Sequence, residues 1–228
     1  MPDRFDRQYL EKPPEYFDAA RADFVARLPD SKAANILELG CGAGATGALA
    51  IRERKCARYV GIELDERAAA MARSRLTEVI VGNVERMKLP FAERSFDALI
   101  MSEVLEHLLD PWATLKELAT FLKPGALVMA SVPNISHHRI IRDLLKGRFE
   151  LHDSGVMDRT HLRWFTPKSF AELFEQASIQ VDEWGPVGTP SRKYRLFNSL
   201  TGGRLRHLIT RQISVYAHKE NQRPAAGE

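Results

Sequence analysis

The sequence predicts an α/β protein built on a doubly wound, mostly parallel sheet, and three observations lead to that expectation. Short apolar runs alternate with helix-compatible segments as far as residue 132, which is typical of a parallel sheet with helices on both faces. The first apolar run ends in a glycine-rich stretch, Asn35 to Gly47. The second ends in an acid, Glu63, at the edge of the sheet where parallel folds bind ligands.

The elements follow one another in a regular order. A leading helix is expected over 14–28, because proline opens it and Phe17, Phe24 and Leu28 recur at helical spacing. The apolar fourth strand suits a central position in the sheet. Strands are expected at 36–39, 59–62, 78–81, 95–102, 126–132, 179–184 and 212–218, and further helices at 46–54, 66–76, 111–122 and 167–177.

Composition indicates an ordinary globular chain. Its 228 residues suffice for one sizeable core, so we expect a single domain over 1–228. The hydrophobic content is 44%, and no apolar run approaches the ~20 residues that cross a bilayer. The N-terminus is charged and lacks the apolar core of a signal peptide, and the two cysteines do not form a disulfide framework. A cytoplasmic location is therefore expected.

The glycine-rich turn is the first candidate site. Gly40, Gly42 and Gly44 allow a tight turn and a close approach of backbone to ligand, and the next helix would direct its free N–H groups there. The Gly-x-Gly-x-Gly spacing differs from the dinucleotide-binding Gly-x-Gly-x-x-Gly. Glu38, two residues before the first glycine, could pair with a cationic amine, and Glu63, nineteen residues after Gly44, could accept bonds from ribose hydroxyls.

The run Ile-Leu-Glu-Leu-Gly-Cys-Gly-Ala-Gly at 36–44 resembles the first motif of the class I S-adenosylmethionine (SAM)-dependent methyltransferases. The resemblance implies SAM as the cofactor and S-adenosylhomocysteine as its product. It also implies a Rossmann-like, seven-stranded sheet whose last strand is antiparallel. In that family the glycine turn cradles the methionine part of SAM, and a leading helix covers it, so Tyr9 or Tyr16 could close the site.

The resemblance also implies which residues contact the cofactor. Asn83 stands where an Asp is common in the family, and its carbonyl oxygen can still accept a bond from the adenine amine. The expected cofactor-binding residues are Glu38, Gly40, Cys41, Gly42, Gly44, Glu63, Leu64, Asn83, Val84 and Ser102.

A second candidate site follows the fourth strand. If 102–107 is helical, Glu103, Glu106 and His107 share one face, and two carboxylates with an imidazole could hold a divalent cation or orient a base. The segment is similar to the Glu-x-x-Glu-His run of ubiquinone-biosynthesis O-methyltransferases, in which such a run can hold a metal ion. The alternative is a solvated first helical turn.

The third candidate region is the insertion at 133–166. It contains four of the seven histidines and resembles the substrate-capping insertion of bacterial methyltransferases found with glycan synthesis. A hydroxyl nucleophile must lose a proton, and histidine is the usual base near neutral pH. His161 and His137 rank ahead of His138 as the catalytic base, and His107 competes with them. A structural role for each is the alternative.

The basic C-terminal segment follows the cap. No acid lies between Glu183 and Glu220, whereas seven basic residues do. If 192–208 is helical, its leucines beside arginines suit an anionic substrate or peripheral contact with a membrane surface, and a solvated face is the alternative. No aromatic platform for nucleic acid is present.

The leading functional interpretation is O-methylation of a hydroxyl on a small molecule, a glycan or a lipid-linked precursor. The expected parts are a SAM-binding core at 30–132, the substrate cap at 133–166, and C-terminal elements at 167–219. Two alternatives remain open: a methyltransferase-like scaffold without turnover, and a nicotinamide-dependent oxidoreductase, which the glycine spacing disfavours. The sequence leaves the oligomeric state and the need for a metal open.

Overall fold

The computed structural model describes residues 18–220, and a seven-stranded sheet runs through the middle of that part. The order of the strands is β3-β2-β1-β4-β5-β7-β6. The strands are β1 (Asn35–Leu39), β2 (Arg58–Glu63), β3 (Glu78–Val81), β4 (Phe96–Ser102), β5 (Leu122–Pro133), β6 (Ile179–Pro186) and β7 (Gln212–Lys219).

The predicted topology is confirmed. β1 pairs in parallel with β2 and β4, and β7 inserts antiparallel between β5 and β6. Leu37 of β1 faces Val60 on one side and Leu99 on the other, and all three are buried. Continuous apolar strands occupy the centre because helices cover both faces there.

Helices flank the sheet, and the described ones are α1 (Ala22–Val25), α2 (Ala45–Arg52), α3 (Glu66–Ala72), α4 (Pro111–Thr120), α5 (His138–Leu145), α6 (Pro167–Glu175), α7 (Arg192–Leu200) and α8 (Arg206–Ile209). Asp110 caps α4 by accepting a hydrogen bond from the Ala113 N–H at 2.9 Å, and Pro111 occupies the first turn. Among the described helices none is both long and apolar enough to cross a bilayer.

Alternation along the strands divides the core between the two faces. Leu37 and Leu39 belong to a cluster that includes Phe170 and Phe174 of α6, whereas Ile36 points to the opposite cluster, with Phe24. Each face of β1 is therefore closed by a different set of helices, and the residues after β1 emerge at the edge of the sheet.

The leading helix and the helix expected over 192–208 differ most from the prediction. Residues 18–21 are not helical, because the Arg21 N–H donates to Thr46 Oγ1 at 3.2 Å and the chain turns into helix only at Ala22. The predicted positions 14–17, Tyr9 and Tyr16 lie outside the described residues. The helix expected over 192–208 is divided into α7 and α8, because Gly202 and Gly203 adopt left-handed φ values of 56° and 78°.

Gly61 lies at the centre of β2, and a side chain there would collide with the turn that follows β1. A Cβ on Gly61 would overlap Cys41 Sγ and lie 2.8 Å from Leu76 Cδ1. We expect Gly61→Ala to lower the free energy of unfolding by about 1–3 kcal/mol through overpacking, measured by urea denaturation. Gly185→Ala in β6 is the matched control, because no atom lies within 4 Å of its added Cβ. Equal stabilities of the two variants would contradict this packing.

Candidate active site

Two cavities meet at the carboxyl ends of β1, β2 and β4, where Gly40 and Val104 line both. The narrow cavity has a volume of about 90 Å³, and the wide cavity about 540 Å³. The apolar residues of the narrow cavity are Leu39, Ile62, Leu64, Val84, Leu108, Leu109 and Leu162. The polar and charged residues of the wide cavity include Arg21, Glu38, Thr46, Ser102, Glu103, Glu106, Asp158, His161, Arg211 and Gln212.

The glycine turn separates the cavities. Gly40, with φ of 69°, would place a Cβ against Val104, so the left-handed turn and its close contact with Val104 both require glycine. Gly42 is also left-handed and lines the wide cavity with Cys41, whose thiol is buried. Gly44 lies behind the turn, where a Cβ would meet Ala72 Cα at 3.1 Å. Gly44 therefore serves the close packing of α3 and, contrary to expectation, lines neither cavity.

Glu63 joins the end of β2 to the glycine turn. Its Oε2 accepts a hydrogen bond from the Gly42 N–H, and its Oε1 accepts from the N–H groups of Leu64 and Asp65, each at 2.8 Å. The side chain lines the narrow cavity, and its burial raises the pKa of the carboxyl. Oε2 accepts only one of these bonds and keeps a second lone pair, so Glu63 can still accept a bond from a ligand hydroxyl.

Glu38 is a buried carboxyl on the floor of the wide cavity. It is 3% exposed, and its Oε2 accepts a hydrogen bond from the Tyr59 hydroxyl at 2.9 Å. Burial raises its pKa to about 8. A ligand ammonium beside it would favour the ionised form.

The other expected cofactor residues are divided between the two cavities. Leu64, Asn83 and Val84 line the narrow cavity and Ser102 the wide one. Asn83 Oδ1 accepts a hydrogen bond from the Glu85 N–H at 2.9 Å and so closes a local turn. The side chain expected to contact adenine is thus held at the cavity wall by the backbone N–H of Glu85.

Arg21 is the charged residue of the site that sequence reasoning missed. Its Nη1 donates to the hydroxyls of Ser102 at 2.7 Å and Ser131 at 2.6 Å, and its Nη2 pairs with Asp23 at 2.7 Å. These bonds hold a guanidinium in the wide cavity beside Glu38. The sequence around Arg21 does not indicate that it belongs to the site, because Ser102 and Ser131, which hold it there, lie 81 and 110 residues further along the chain.

His161 lies in the wide cavity and is 7% exposed. Its Nδ1 lies 3.1 Å from the Val156 carbonyl oxygen. Because a carbonyl oxygen only accepts, Nδ1 carries the proton in the neutral ring and Nε2 has the lone pair. The cap segment is fixed there by the Glu106 carbonyl, which accepts bonds from the N–H groups of Leu162 at 2.8 Å and Arg163 at 3.0 Å.

Glu106 faces His161 across the cavity. Its Oε1 lies 4.0 Å from His161 Nε2, and neither carboxyl oxygen has a hydrogen-bond partner among the described residues. Burial, together with the nearby Glu103 carboxyl, raises the pKa of Glu106 well above its usual range. A buried carboxyl without a hydrogen-bond partner is costly, so Glu106, beside a histidine, is a candidate functional residue.

The structure replaces one residue of the expected cation-binding group: His161 takes the place of Glu103. Glu106, His107 and His161 offer ligand atoms within 4.8 Å of one another, and the rings of the two histidines are 4.8 Å apart. Glu103 is not in this group, because its backbone is left-handed, with φ of 54°, and its Oε2 accepts from Gln212 Nε2 at 2.8 Å. The predicted helical face does not form, since only Leu105–His107 is helical, as a 3₁₀ turn.

His137 and His138 lie outside both cavities. His137 caps α5, with its Nδ1 accepting from the Arg139 N–H at 3.4 Å, and it lines a separate cavity under α5. Burial and the charges of His138, Arg139 and Arg211 lower its pKa to about 4. Its lone pair therefore serves the helix, which corrects the expectation that His137 is a base. His107 lines the narrow cavity, where its Nδ1 lies 3.1 Å from the Thr160 carbonyl oxygen.

These observations define the class of protein first: an α/β fold with a glycine turn, two buried carboxylates at strand ends and a narrow apolar cavity beside them. A family model for a methyltransferase domain matches residues 9–183. The chain belongs to the SAM-dependent methyltransferases, and SAM is its cofactor.

Similar proteins agree with this assignment. The ubiquinone biosynthesis O-methyltransferase of Xanthomonas campestris pv. campestris is 33% identical over 214 residues, which cover 86% of this chain and 84% of that protein. The trans-aconitate 2-methyltransferase of Azoarcus sp. is 33% identical over 147 residues, which cover 63% of this chain and 57% of that protein. This chain thus spans little more than half the length of the Azoarcus relative.

A solved structure shows the same fold. A chain from the complex between the Haloferax volcanii Trm112 methyltransferase activator and a methyltransferase matches with a TM-score of 0.67 and 18% identity. The match covers 97% of this chain and 100% of that chain.

Proposed function

We propose that the protein is an O-methyltransferase that acts on a hydroxyl group, with His161 as the base. The observation that carries the proposal is the pair of His161 and Glu106 in the wide cavity, with Nε2 of the ring 4.0 Å from a buried carboxyl oxygen. The candidate acceptors are a small molecule, a glycan and a lipid-linked precursor.

The bond between His161 and the Val156 carbonyl supports the role of a base. With its proton on Nδ1, the neutral ring offers Nε2 to the acceptor hydroxyl. Once Nε2 has taken the hydroxyl proton, the imidazolium lies beside Glu106. Burial raises the pKa of that carboxyl, but a neighbouring positive charge favours its ionised form, which would then stabilise the imidazolium. The pair can therefore hold the proton that the acceptor loses.

The remaining charged residues would bind and orient the cofactor. SAM supplies a methyl group that is already activated by its positively charged sulfur. In this proposal Arg21 binds the carboxylate of its methionine part, Glu38 the ammonium, and Glu63 the ribose hydroxyls. The narrow, apolar cavity takes adenine and excludes water from it. Positioning of this kind lowers the barrier because the acceptor lone pair must align with the methyl group.

Glu106, His107 and His161 also fit a divalent cation, which is a second role for the same cluster. One unpartnered carboxylate and two imidazoles form a donor set that suits Zn²⁺ or a similar borderline ion better than Mg²⁺. In that role the three side chains would orient the acceptor oxygen and favour its ionised form.

The experiment that tests the function combines binding with methyl transfer. We expect S-adenosylhomocysteine to bind with micromolar affinity in calorimetry and NADH not to bind. Glu63→Ala should lose about tenfold or more in affinity, because it removes a buried ligand group and three backbone hydrogen bonds. Glu66→Ala is the matched control, since Glu66 is an exposed acid that pairs with Arg73.

Labelled SAM and a panel of acceptors then identify the chemistry. Transfer of the labelled methyl group to hydroxyl acceptors supports the proposal. Transfer only to carboxylates or amines opposes it. Binding of S-adenosylhomocysteine without transfer to any acceptor favours the scaffold alternative. Binding of NADH alone would favour an oxidoreductase.

A lipid-linked acceptor would bring the basic segment close to a membrane. Leu196 and Leu200 of α7 are 62% and 78% exposed, beside Arg192 and Arg195. This apolar and basic face suits peripheral contact with anionic lipid.

A further inference from the structure

We propose that Arg139 and Arg211, with Arg148, bind a phosphate or diphosphate group of the acceptor next to the wide cavity. This inference rests on the proposed function and names the class of acceptor: a phosphorylated molecule whose hydroxyl lies in the wide cavity while its phosphate lies under the cap helix α5.

The site is a third cavity, of about 490 Å³, between α5 and the cap segment 148–157. Ser154, Gly155, Val156 and Arg211 line this cavity and the wide cavity alike. The two cavities are thus adjacent, and in this proposal one acceptor extends from the wide cavity into the third. We call the third cavity the cap cavity.

The cap cavity has an excess of positive charge. Four arginines line it, against two acids, Asp143 and Glu150. Arg142 pairs with Asp143 at 3.2 Å. The side chains of Arg139, Arg148 and Arg211 make no ion pair within residues 18–220. Uncompensated arginines that line one cavity favour an anionic ligand, and the guanidinium fork matches the geometry of phosphate.

Arg211 is held at the boundary between the two cavities. It lies just before β7, and its carbonyl accepts a hydrogen bond from the Asn134 N–H at 3.0 Å, which ties it to the end of β5. Gly155 lies against its guanidinium, since a Cβ there would be 3.2 Å from Arg211 Nη2. The sheet therefore anchors the backbone of Arg211, and the cap backbone packs against its side chain.

His137 adds no charge to the cap cavity near pH 7. It lines the cap cavity, and its pKa is lowered to about 4 by burial and then by the charges of His138, Arg139 and Arg211. His137 is thus neutral near pH 7 and caps α5 through Nδ1. The charge of the cavity comes from the arginines, and it does not change between pH 6 and pH 8 through His137.

The test is calorimetric titration with inorganic pyrophosphate at low ionic strength. We expect wild type to bind and the double variant Arg139→Ala/Arg211→Ala to lose about tenfold or more in affinity, as removal of two charge-assisted contacts predicts. The double variant Lys32→Ala/Arg52→Ala removes the same charge from exposed positions outside the cap cavity. Equal binding by wild type and the cap-cavity variant, or equal losses in both variants, would overturn the proposal.

Titration with S-adenosylhomocysteine separates this proposal from the previous one. The control variant should keep wild-type affinity for S-adenosylhomocysteine, and so should the single variant Arg139→Ala, because Arg139 lines the cap cavity and not the wide cavity. Loss of pyrophosphate binding with that affinity retained supports the phosphate site whatever the methylated atom proves to be. Loss of both ligands in Arg139→Ala would show general damage and would count against the site.

Vesicle flotation distinguishes the two sources of the phosphate. We would compare vesicles of phosphatidylcholine alone with vesicles that contain phosphatidic acid. Flotation of wild type only with phosphatidic acid, lost in Arg139→Ala/Arg211→Ala, supports a phosphate on a lipid. Pyrophosphate binding without flotation supports the same site with a soluble phosphorylated acceptor.

Discussion

Replacement of His161 by alanine is expected to lower turnover by about 10²-fold or more and to leave affinity for S-adenosylhomocysteine nearly unchanged. The ring lies in the wide cavity, with Nδ1 bound to the Val156 carbonyl and Nε2 4.0 Å from Glu106 Oε1. Its loss removes the acceptor of the hydroxyl proton but no group proposed to contact SAM. Single-turnover rates with a hydroxyl acceptor and calorimetry with S-adenosylhomocysteine measure the two quantities separately.

His218→Ala is the control for the loss of an imidazole, because His218 lies on β7 and pairs with Asp182 away from both cavities. Unchanged turnover in His161→Ala would make His161 structural and would leave His107 as the candidate base. It would also favour an acceptor that is already ionised, such as a carboxylate, for which no base is needed.

The same assay decides between a base and a cation site in the Glu106 cluster. If the cluster acts through a cation, a chelator should abolish wild-type turnover, and Glu106→Gln should weaken titrated Zn²⁺ binding. If His161 acts as a base, the chelator should leave turnover intact, and the His161→Ala defect should persist in added metal.

Affinity for S-adenosylhomocysteine is expected to rise with pH by up to about tenfold between pH 6 and pH 7, and Glu38→Gln should flatten this dependence. Burial raises the pKa of Glu38 to about 8, so the carboxyl of the free protein is mostly neutral in this range. A ligand ammonium beside it stabilises the carboxylate and lowers its pKa in the complex. Binding therefore releases a proton, and release of a proton is favoured by higher pH.

Calorimetry in two buffers with different ionisation enthalpies measures that proton directly. Wild type should release close to one proton at pH 6.5, and Glu38→Gln should release less. The substitution keeps the size of the side chain and its contact with the Tyr59 hydroxyl, so the comparison isolates the charge. Burial raises the pKa of Glu63 as well, but Glu63 is present in both proteins. The difference in proton release between them therefore belongs to Glu38. Equal proton release by both proteins would place the ammonium away from Glu38.

Much of the sheet could be predicted from sequence because its signals are local. The apolar run before Gly40 and the acid that ends β2 lie in segments whose periodicity specifies strands. The helix at 14–28 was predicted on the same kind of signal, and it failed at 18–21 because Arg21 is held by Thr46 and by serines on other strands. Long-range hydrogen bonds of this kind leave no trace in local spacing.

The roles of the histidines in the site also depend on long-range contacts that the sequence does not reveal. Four of the histidines lie in 133–166, and sequence reasoning ranked His161 and His137 together. Only the fold separates them, since the Glu106 carbonyl holds the cap near His161 whereas His137 caps α5. The predicted face with Glu103 failed because a left-handed residue precedes the short 3₁₀ turn.

The sequence by itself determined the class of fold and the place of the cofactor site, since a glycine turn between a buried strand and a helix, followed by an acid at the end of the next strand, is a local pattern with a direct physical meaning. The resemblance of that pattern to the class I methyltransferases then implied SAM. Only the tertiary structure decided which distant side chains share a cavity. In the wide cavity, Arg21 lies with Glu38, and His161 lies with Glu106. Arg139 and Arg211 both line the cap cavity. Those pairs form because the sheet and the cap bring together segments far apart in the chain, and residue spacing does not encode that proximity.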